Sequence, residues 1–433
     1  MTVSESPVEV TCPAGTIIGV ADEDVARFHS IAYSRIPAPF SDAEPAPQGM
    51  LIDATVERPD DIALSITTPL GAKDVDDLPV IVHVHGGRFE MGDHTDPAAP
   101  GDALARQGVI LVKVGYRLML EGLAQFHDDP PAHFRAVNDV ATALTWVQRN
   151  IEAFGGDPTN VTLSGQSAGA AVVLWLMRKD HYKGEFRRAL ALSPAFPRLS
   201  YNQRKSVIRA GAGIPLTRKA LNDAAATRSG QKKIRRGYSA VRRRYFTDMA
   251  LGPAPLDPAE MAEVDLVISS LSEEMYEAAA KRDRANMARF DMILPGFIMG
   301  LKPDHYVRFF KVLKARNPKH ILGEFFSANL IRRWVDMISL NAPGRVWQAE
   351  LVGDGVVKPY HCADLAPLFA GEGYAQGEGL NAWLVTYART GEPGWEPYSD
   401  HHNALRVDLS GKNPELVREP LAYLREAFSL KWD

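Results

Sequence analysis

The stretch Asn160-Val161-Thr162-Leu163-Ser164-Gly165-Gln166-Ser167-Ala168-Gly169-Ala170 constrains this chain more than any other. Its first half is short, apolar and β-branched, follows the turn residues Gly155-Gly156-Asp157-Pro158, and reads as a strand. Ala170 through Met177 is small or apolar throughout and reads as a buried helix. Between them lies the pattern G-x-S-x-G: Gly165, Gln166, Ser167, Ala168, Gly169. A chain that turns from strand to helix within so few residues holds the central serine in a strained conformation and needs small neighbours on both sides. The turn lifts the Ser167 hydroxyl clear of the sheet, over a helix N-terminus that favours developing negative charge. G-x-S-x-G alone is common in Gly/Ser turns. The strand before it and the helix after it make it a nucleophile elbow.

Strands are expected on either side of this element, at Ala63–Thr67, Val80–His85, Val109–Val114, Ala189–Leu192, Asp265–Ser269 and Val346–Val352. The Val80–His85 and Val109–Val114 runs are almost unbroken in apolar residues, as strands buried on both faces are. Val137, Val140, Ala141, Leu144, Val147, Ile151 and Phe154 recur at helical spacing, with Gly155 as the stop. Val8–Val10 and Gly15–Gly19 suggest an N-terminal hairpin, and Ile31-Ala32-Tyr33 leads into Pro37, Pro39, Pro45 and Pro47. Strands alternating with helices predict an α/β layer architecture with a mostly parallel sheet and helices on both faces. The intervals 199–262 and 276–340 are poor in strand signal and are expected to be helical insertions in a single domain, 1–433.

The run Ala143-Leu144-Thr145-Trp146-Val147-Gln148-Arg149-Asn150-Ile151-Glu152-Ala153-Phe154-Gly155-Gly156-Asp157-Pro158, continuing into Ser-Gly-Gln-Ser-Ala-Gly, resembles the type-B carboxylesterase and cholinesterase-like branch of the α/β-hydrolases. The resemblance implies the α/β-hydrolase fold, a helical cap over the active edge of the sheet, and a serine hydrolase acting on small-molecule carboxylic esters. It implies no cofactor. The family opening has a cysteine-closed loop that this shorter chain lacks, so part of the rim around the site is expected to be missing.

Acyl transfer by serine needs a base, a group that orients the base, and donors for the oxyanion. In this fold the chain order is serine, acid, histidine. Of His181, His305, His320, His361, His401 and His402, the best placed is His361, which follows the Val346–Val352 strand through a Gly/Pro loop. His361-Cys362-Ala363-Asp364-Leu365-Ala366-Pro367-Leu368-Phe369 resembles the family stretch after its histidine, and Cys362 is read as a buried filler. Val264 through Tyr276 resembles the segment in which an acidic pair closes a strand. The acid is therefore Glu274, with Glu273 as competitor, although Met275 stands where a glycine is common. His85-Gly86-Gly87-Arg88-Phe89 resembles the oxyanion loop, with Gly87, Arg88 and Ala168 as the backbone donors and Arg88 in place of a third glycine. Two readings of that arginine stay open. Either it reads a second, anionic group on the substrate, or it turns away to Glu90, Asp93 or solvent.

Amide or carbamate hydrolysis by the same groups is the near alternative. A non-catalytic binding protein on this scaffold is the distant one, and such relatives typically lack the serine or the histidine. A formal net charge of −4 gives no reason to expect a nucleic acid or an anionic membrane as partner. Lys232 through Tyr245 is basic, but Ile234, Tyr238, Val241 and Tyr245 recur at helical spacing, so a solvated helix with one packed face is expected. His83 and His85 share a strand face without a third ligand beside them, so no metal is expected. Two cysteines, Cys12 and Cys362, exclude a disulfide framework. With no basic-then-apolar leader at the N-terminus, a cytoplasmic location is expected.

Overall fold

A computed structural model describes residues 6–285, 292–293, 301, 305–425 and 427–428. Its strands are β1 (Ser6–Cys12), β2 (Gly15–Asp22), β3 (Val25–Ile31), β4 (Ser34–Arg35), β5 (Glu44–Pro45), β6 (Met50–Asp53), β7 (Leu64–Pro69) and β8 (Leu78–Val84). They continue as β9 (Ile110–Val114), β10 (Gly156–Gln166), β11 (Arg188–Leu192), β12 (Asp265–Leu271), β13 (Val346–Val352), β14 (Asn403–Asp408) and β15 (Glu415–Arg418). The main sheet runs β1-β2-β3-β7-β9-β8-β10-β11-β12-β13-β14-β15, with β6 paired to β2. From β9 to β14 every pairing is parallel, and antiparallel strands close both ends.

The parallel strands are apolar on both faces because helices cover both. Val80, Val82 and Val84 of β8 join the core shared with helices Arg135–Asn150 and Ala168–Leu176, whereas Ile81 joins the core beneath Gly379–Thr390. The same alternation puts Ala189 and Ala191 on one side and Leu190 and Leu192 on the other. A one-residue slip would exchange the two faces, so the packing specifies the register.

β9 and β10 flank β8 on opposite sides, so the strand order reverses at β8. In open α/β sheets such a reversal opens a crevice at the carboxyl ends of the strands. The segments carrying Gly87, Ser167, Glu274 and His361 follow β8, β10, β12 and β13 at that edge.

Some elements differ from expectation. β10 begins at Gly156, inside the residues read as a turn, and a register irregularity between Gly156 and Val161 absorbs Pro158. β14 and β15 gave no clear sequence signal because they end the sheet and carry charges: Arg406 bonds to Glu350 at 2.8 Å and to Glu415 at 3.0 Å. The interval 199–262 holds helices Tyr201–Ala212, Arg218–Ala225 and Arg228–Arg244. The last of these buries Ile234, Tyr238 and Val241 and turns its basic residues outward. Helices Tyr276–Arg284, Tyr306–Arg316, Ile321–Ser327 and Arg333–Asn341 occupy 276–340. Residues 286–291, 294–300 and 302–304 of that interval lie outside the described residues.

Candidate active site

Ser167 sits at the junction of β10 and helix Ala168–Leu176 with φ 55° and ψ −112°, a conformation that is strained for any residue with a side chain. The junction is crowded by backbone. A Cβ on Gly169 would lie 2.0 Å from the Val84 carbonyl oxygen, and one on Gly165 would lie 2.6 Å from the Gly169 carbonyl. Only glycine lets the helix sit this close to β8 and β10. The serine is 3% exposed, and its N–H donates to the Leu192 carbonyl at 2.8 Å.

The hydroxyl of Ser167 lies 2.8 Å from His361 Nε2, and His361 Nδ1 lies 2.6 Å from Glu274 Oε2. The residue is doubly anchored, because the His361 backbone N–H also donates to the Glu274 carbonyl at 3.0 Å. Glu274 is 2% exposed, and its other oxygen accepts from the Ser193 hydroxyl at 2.6 Å and from the Leu271 N–H at 2.8 Å. A buried carboxylate with three donors is held in one orientation. Among the described residues Glu273 makes no hydrogen bond or ion pair with His361; its N–H donates to the Pro359 carbonyl at 3.3 Å.

Burial disfavours a charged His361, but the Glu274 charge and hydrogen bond, followed by the Asp364 charge, outweigh it, so its pKa is raised above 6.5; the Arg88 charge opposes the rise. Asp364 is fully buried, and neither of its oxygens is hydrogen-bonded among the described residues. Burial first, then the Glu274 charge, push its pKa up to about 7.

Gly87 and Arg88 follow β8 with φ 95° and 59°, and neither N–H donates a backbone hydrogen bond among the described residues. A Cβ on Gly87 would lie 2.1 Å from the Met91 carbonyl oxygen. Ala168 opens its helix, where an N–H has no partner one turn earlier. These are donors of the kind an oxyanion needs.

Two expectations are corrected, for Arg88 and for Cys362. Arg88 does not pair with Glu90 or Asp93: its Nη2 donates to the Asp248 carbonyl at 3.3 Å, while Glu90 pairs with Arg242 at 3.3 Å. Cys362 is exposed as a residue, with φ 76°, and is no buried filler, although its thiol is drawn in against Gln166. Desolvation of its thiol, then the charges of Asp364 and Glu274, push its pKa up to about 12, so it is protonated at neutral pH. His83 and His85 are core imidazoles. Burial pulls His83 down to about 4 and lowers His85, and their rings pack on Phe369 and Tyr116.

Sequence reasoning missed Ser193, which ends the strand beside the elbow, and gave Asp364 no role although it lies three residues after His361. Their side chains converge on the site only through the fold.

Residues 32–212 match the family model described as "Carboxylesterase family". A para-nitrobenzyl esterase of Bacillus subtilis is 32% identical over 223 residues, 46% of this chain and 46% of that protein. A bile salt-activated lipase of Bos taurus is 38% identical over 149 residues, 33% of this chain and 25% of that protein. The matched stretch thus spans about half of the first relative and a quarter of the second. A solved para-nitrobenzyl esterase superposes with a TM-score of 0.76 at 21% identity, covering 96% of this chain and 99% of that one. Juvenile hormone esterase from Manduca sexta, with OTFP covalently attached, gives 0.77 at 18% identity, covering 97% and 98%. The solved structures show the same α/β-hydrolase fold over nearly the whole chain, and the sequence over residues 32–212 is similar to the carboxylesterase family.

Proposed function

We propose that this protein is a serine hydrolase that cleaves small-molecule carboxylic esters through an acyl-enzyme on Ser167. The observation that carries the reading is the unbroken hydrogen-bonded series Ser167–His361–Glu274, with distances of 2.8 and 2.6 Å. In this scheme Ser167 Oγ attacks the ester carbonyl as its proton passes to His361 Nε2. Glu274 holds the imidazole with its proton on Nδ1 and stabilises the imidazolium. The N–H groups of Gly87, Arg88 and Ala168 receive the oxyanion, which collapses and expels the alcohol with the proton from His361. Water then repeats the sequence on the acyl-enzyme, releasing the acid and restoring Ser167.

On this reading the helices of 199–262, and the described part of 276–340, form the cap of a single catalytic domain. Supporting contacts are the Arg88 bond to Asp248, the packing of Phe89 against Gly252, and the Phe196–Trp334 ring pair at 5.9 Å. A cytoplasmic setting belongs to the same proposal and is supported by two free cysteines. No helix among the described residues is long and apolar enough to cross a membrane.

The test is fluorophosphonate labelling together with hydrolysis of a p-nitrophenyl ester. Ser167→Ala is expected to abolish labelling and to lower turnover by roughly 10⁴-fold or more. His361→Ala is expected to lose as much, and the double variant no more, since the two act as one unit. Near-normal turnover by Ser167→Ala overturns the proposal.

A further inference from the structure

We propose that Arg88 is a specificity-determining residue that holds the free carboxylate of an ester carrying a second, anionic carboxyl group, such as a monoester of a dicarboxylic acid. The inference rests on the ester-hydrolase reading above and names the substrate class for that site.

The loop geometry leaves this side chain with little choice. Gly87, Arg88 and Phe89 all have left-handed backbone, with φ of 95°, 59° and 60°. Phe89 is pinned: it is fully buried, its carbonyl accepts from the Met119 N–H at 2.8 Å, and its ring meets Tyr116 edge-on at 6.1 Å. Gly87 is pinned as well, its carbonyl taking the Glu90 N–H at 2.9 Å. Arg88 is thereby left exposed on the turn, next to the candidate oxyanion donors.

Nearby carboxylates are already occupied. Glu90 faces Arg242 and accepts from the Tyr238 hydroxyl at 3.1 Å. Asp93 takes the N–H and hydroxyl of Thr95. Asp248 Oδ2 accepts from Arg204 and from the Arg198 N–H, and its Oδ1 accepts from the Met249 N–H. Among the described residues Arg88 therefore has no ion-pair partner, only the Asp248 carbonyl at 3.3 Å, which does not neutralise its charge. That charge reaches the base itself, favouring the neutral form of His361. Asp248 is shared further, since it also attracts the buried Arg333 while Arg198 repels it. Arg88 thus keeps its charge un-neutralised beside the candidate oxyanion donors. A planar guanidinium fork matches a carboxylate in two hydrogen bonds, which a carbonyl cannot offer.

The experiment compares kcat/KM for p-nitrophenyl hydrogen glutarate, which is anionic, and for its neutral methyl ester. Both share the leaving group and the acyl length. In Arg88→Gln and Arg88→Gly the ratio of anionic to neutral turnover is expected to fall roughly ten- to a hundredfold below that of the wild type. In the wild type the same ratio is expected to fall as salt is raised. An unchanged ratio, or equal losses on both esters, overturns the inference and leaves the ester-hydrolase reading standing. A measurement on the wild type alone is independent of how the variants fold. Glutarate is expected to protect Ser167 from fluorophosphonate at concentrations where glutaramide does not, and equal protection or none also overturns the inference. A wild type that hydrolyses neither ester and is not labelled overturns the ester-hydrolase reading and this inference with it.

Discussion

His361 is pulled in opposite directions by its surroundings, and the balance is measurable. Burial opposes its charge, Glu274 and Asp364 favour it, and Arg88 opposes it, with a net rise above 6.5. A protonated imidazole cannot accept the serine proton, so activity is lost as pH falls through that pKa. The acid limb of kcat/KM is therefore expected to have its midpoint above 6.5. Glu274→Gln is expected to lower this midpoint and to cut turnover about 10⁴-fold. Glu273→Gln is expected to do neither. A profile flat between about pH 5 and 8 counts against a histidine base. Asp364 offers a separate reading through stability. Its folded pKa of about 7 lies above the ordinary value of 3.8, so the stability held by its protonated form is complete below the lower value and is lost as pH rises to the upper one. Asp364→Asn is expected to gain in melting temperature relative to the wild type as pH rises from about 4 to 7, with a constant gap above that. A gap that does not change with pH shows that the carboxyl does not titrate in this window.

At the scale of elements, the elbow is built by what is missing from it. Helix Ala168–Leu176 crosses so near β8 that a single methyl on Gly169 meets the Val84 carbonyl oxygen at 2.0 Å. Backbone on both sides cannot give way without moving a strand or the helix. Gly169→Ala is expected to destabilise the protein by about 1–3 kcal/mol or more and to shift Ser167 relative to His361. Thermal melting and the rate of fluorophosphonate labelling check the two effects separately. A variant with normal melting and normal labelling shows that the junction has slack the structure does not have.

At the scale of the whole molecule, the helices after Tyr276 brace the turn that carries Glu274. Arg332 is fully buried; it reaches Glu324 at 2.9 Å and bonds to the Ser272 carbonyl, two residues before Glu274. Glu324 also accepts from the Tyr276 hydroxyl and from Arg316 at 3.0 Å. Removing one partner of a buried ion pair costs up to about 3–5 kcal/mol, a cost that Arg316 and Tyr276, which stay on Glu324, reduce. Arg332→Met is expected to lower stability by that order and kcat with it, whereas replacing the exposed partner Lys219 of the Asp223 pair is expected to change stability by less than about 1 kcal/mol. Denaturant unfolding and steady-state kinetics on both variants decide the matter. Equal effects would mean that the Arg332 contacts do not hold the Glu274 turn.

Sequence alone determined the parts whose physics is local. The strand–turn–helix around Ser167 is legible because its small residues and its apolar runs are contiguous, and β8 and β9 because strands buried on both faces are nearly continuous in apolar residues. Resemblance pointed to Glu274 and His361, which stand 107 and 194 residues beyond Ser167 in the chain. The tertiary structure decided what depends on neighbours far apart in sequence. It brought Ser193 to Glu274 across a sequence separation of 81 and left Asp364 buried without a hydrogen-bond partner among the described residues. It also took Glu90 away from Arg88 by offering it Arg242. The terminal strands β14 and β15 were hidden for the same reason: they close the sheet beside solvent, so their residues alternate weakly, and only the pairing of β14 with β13 and of β15 with β14 makes strands of them. Local order is written in short-range pattern, whereas the charge and freedom of a side chain are set by whatever the fold places beside it.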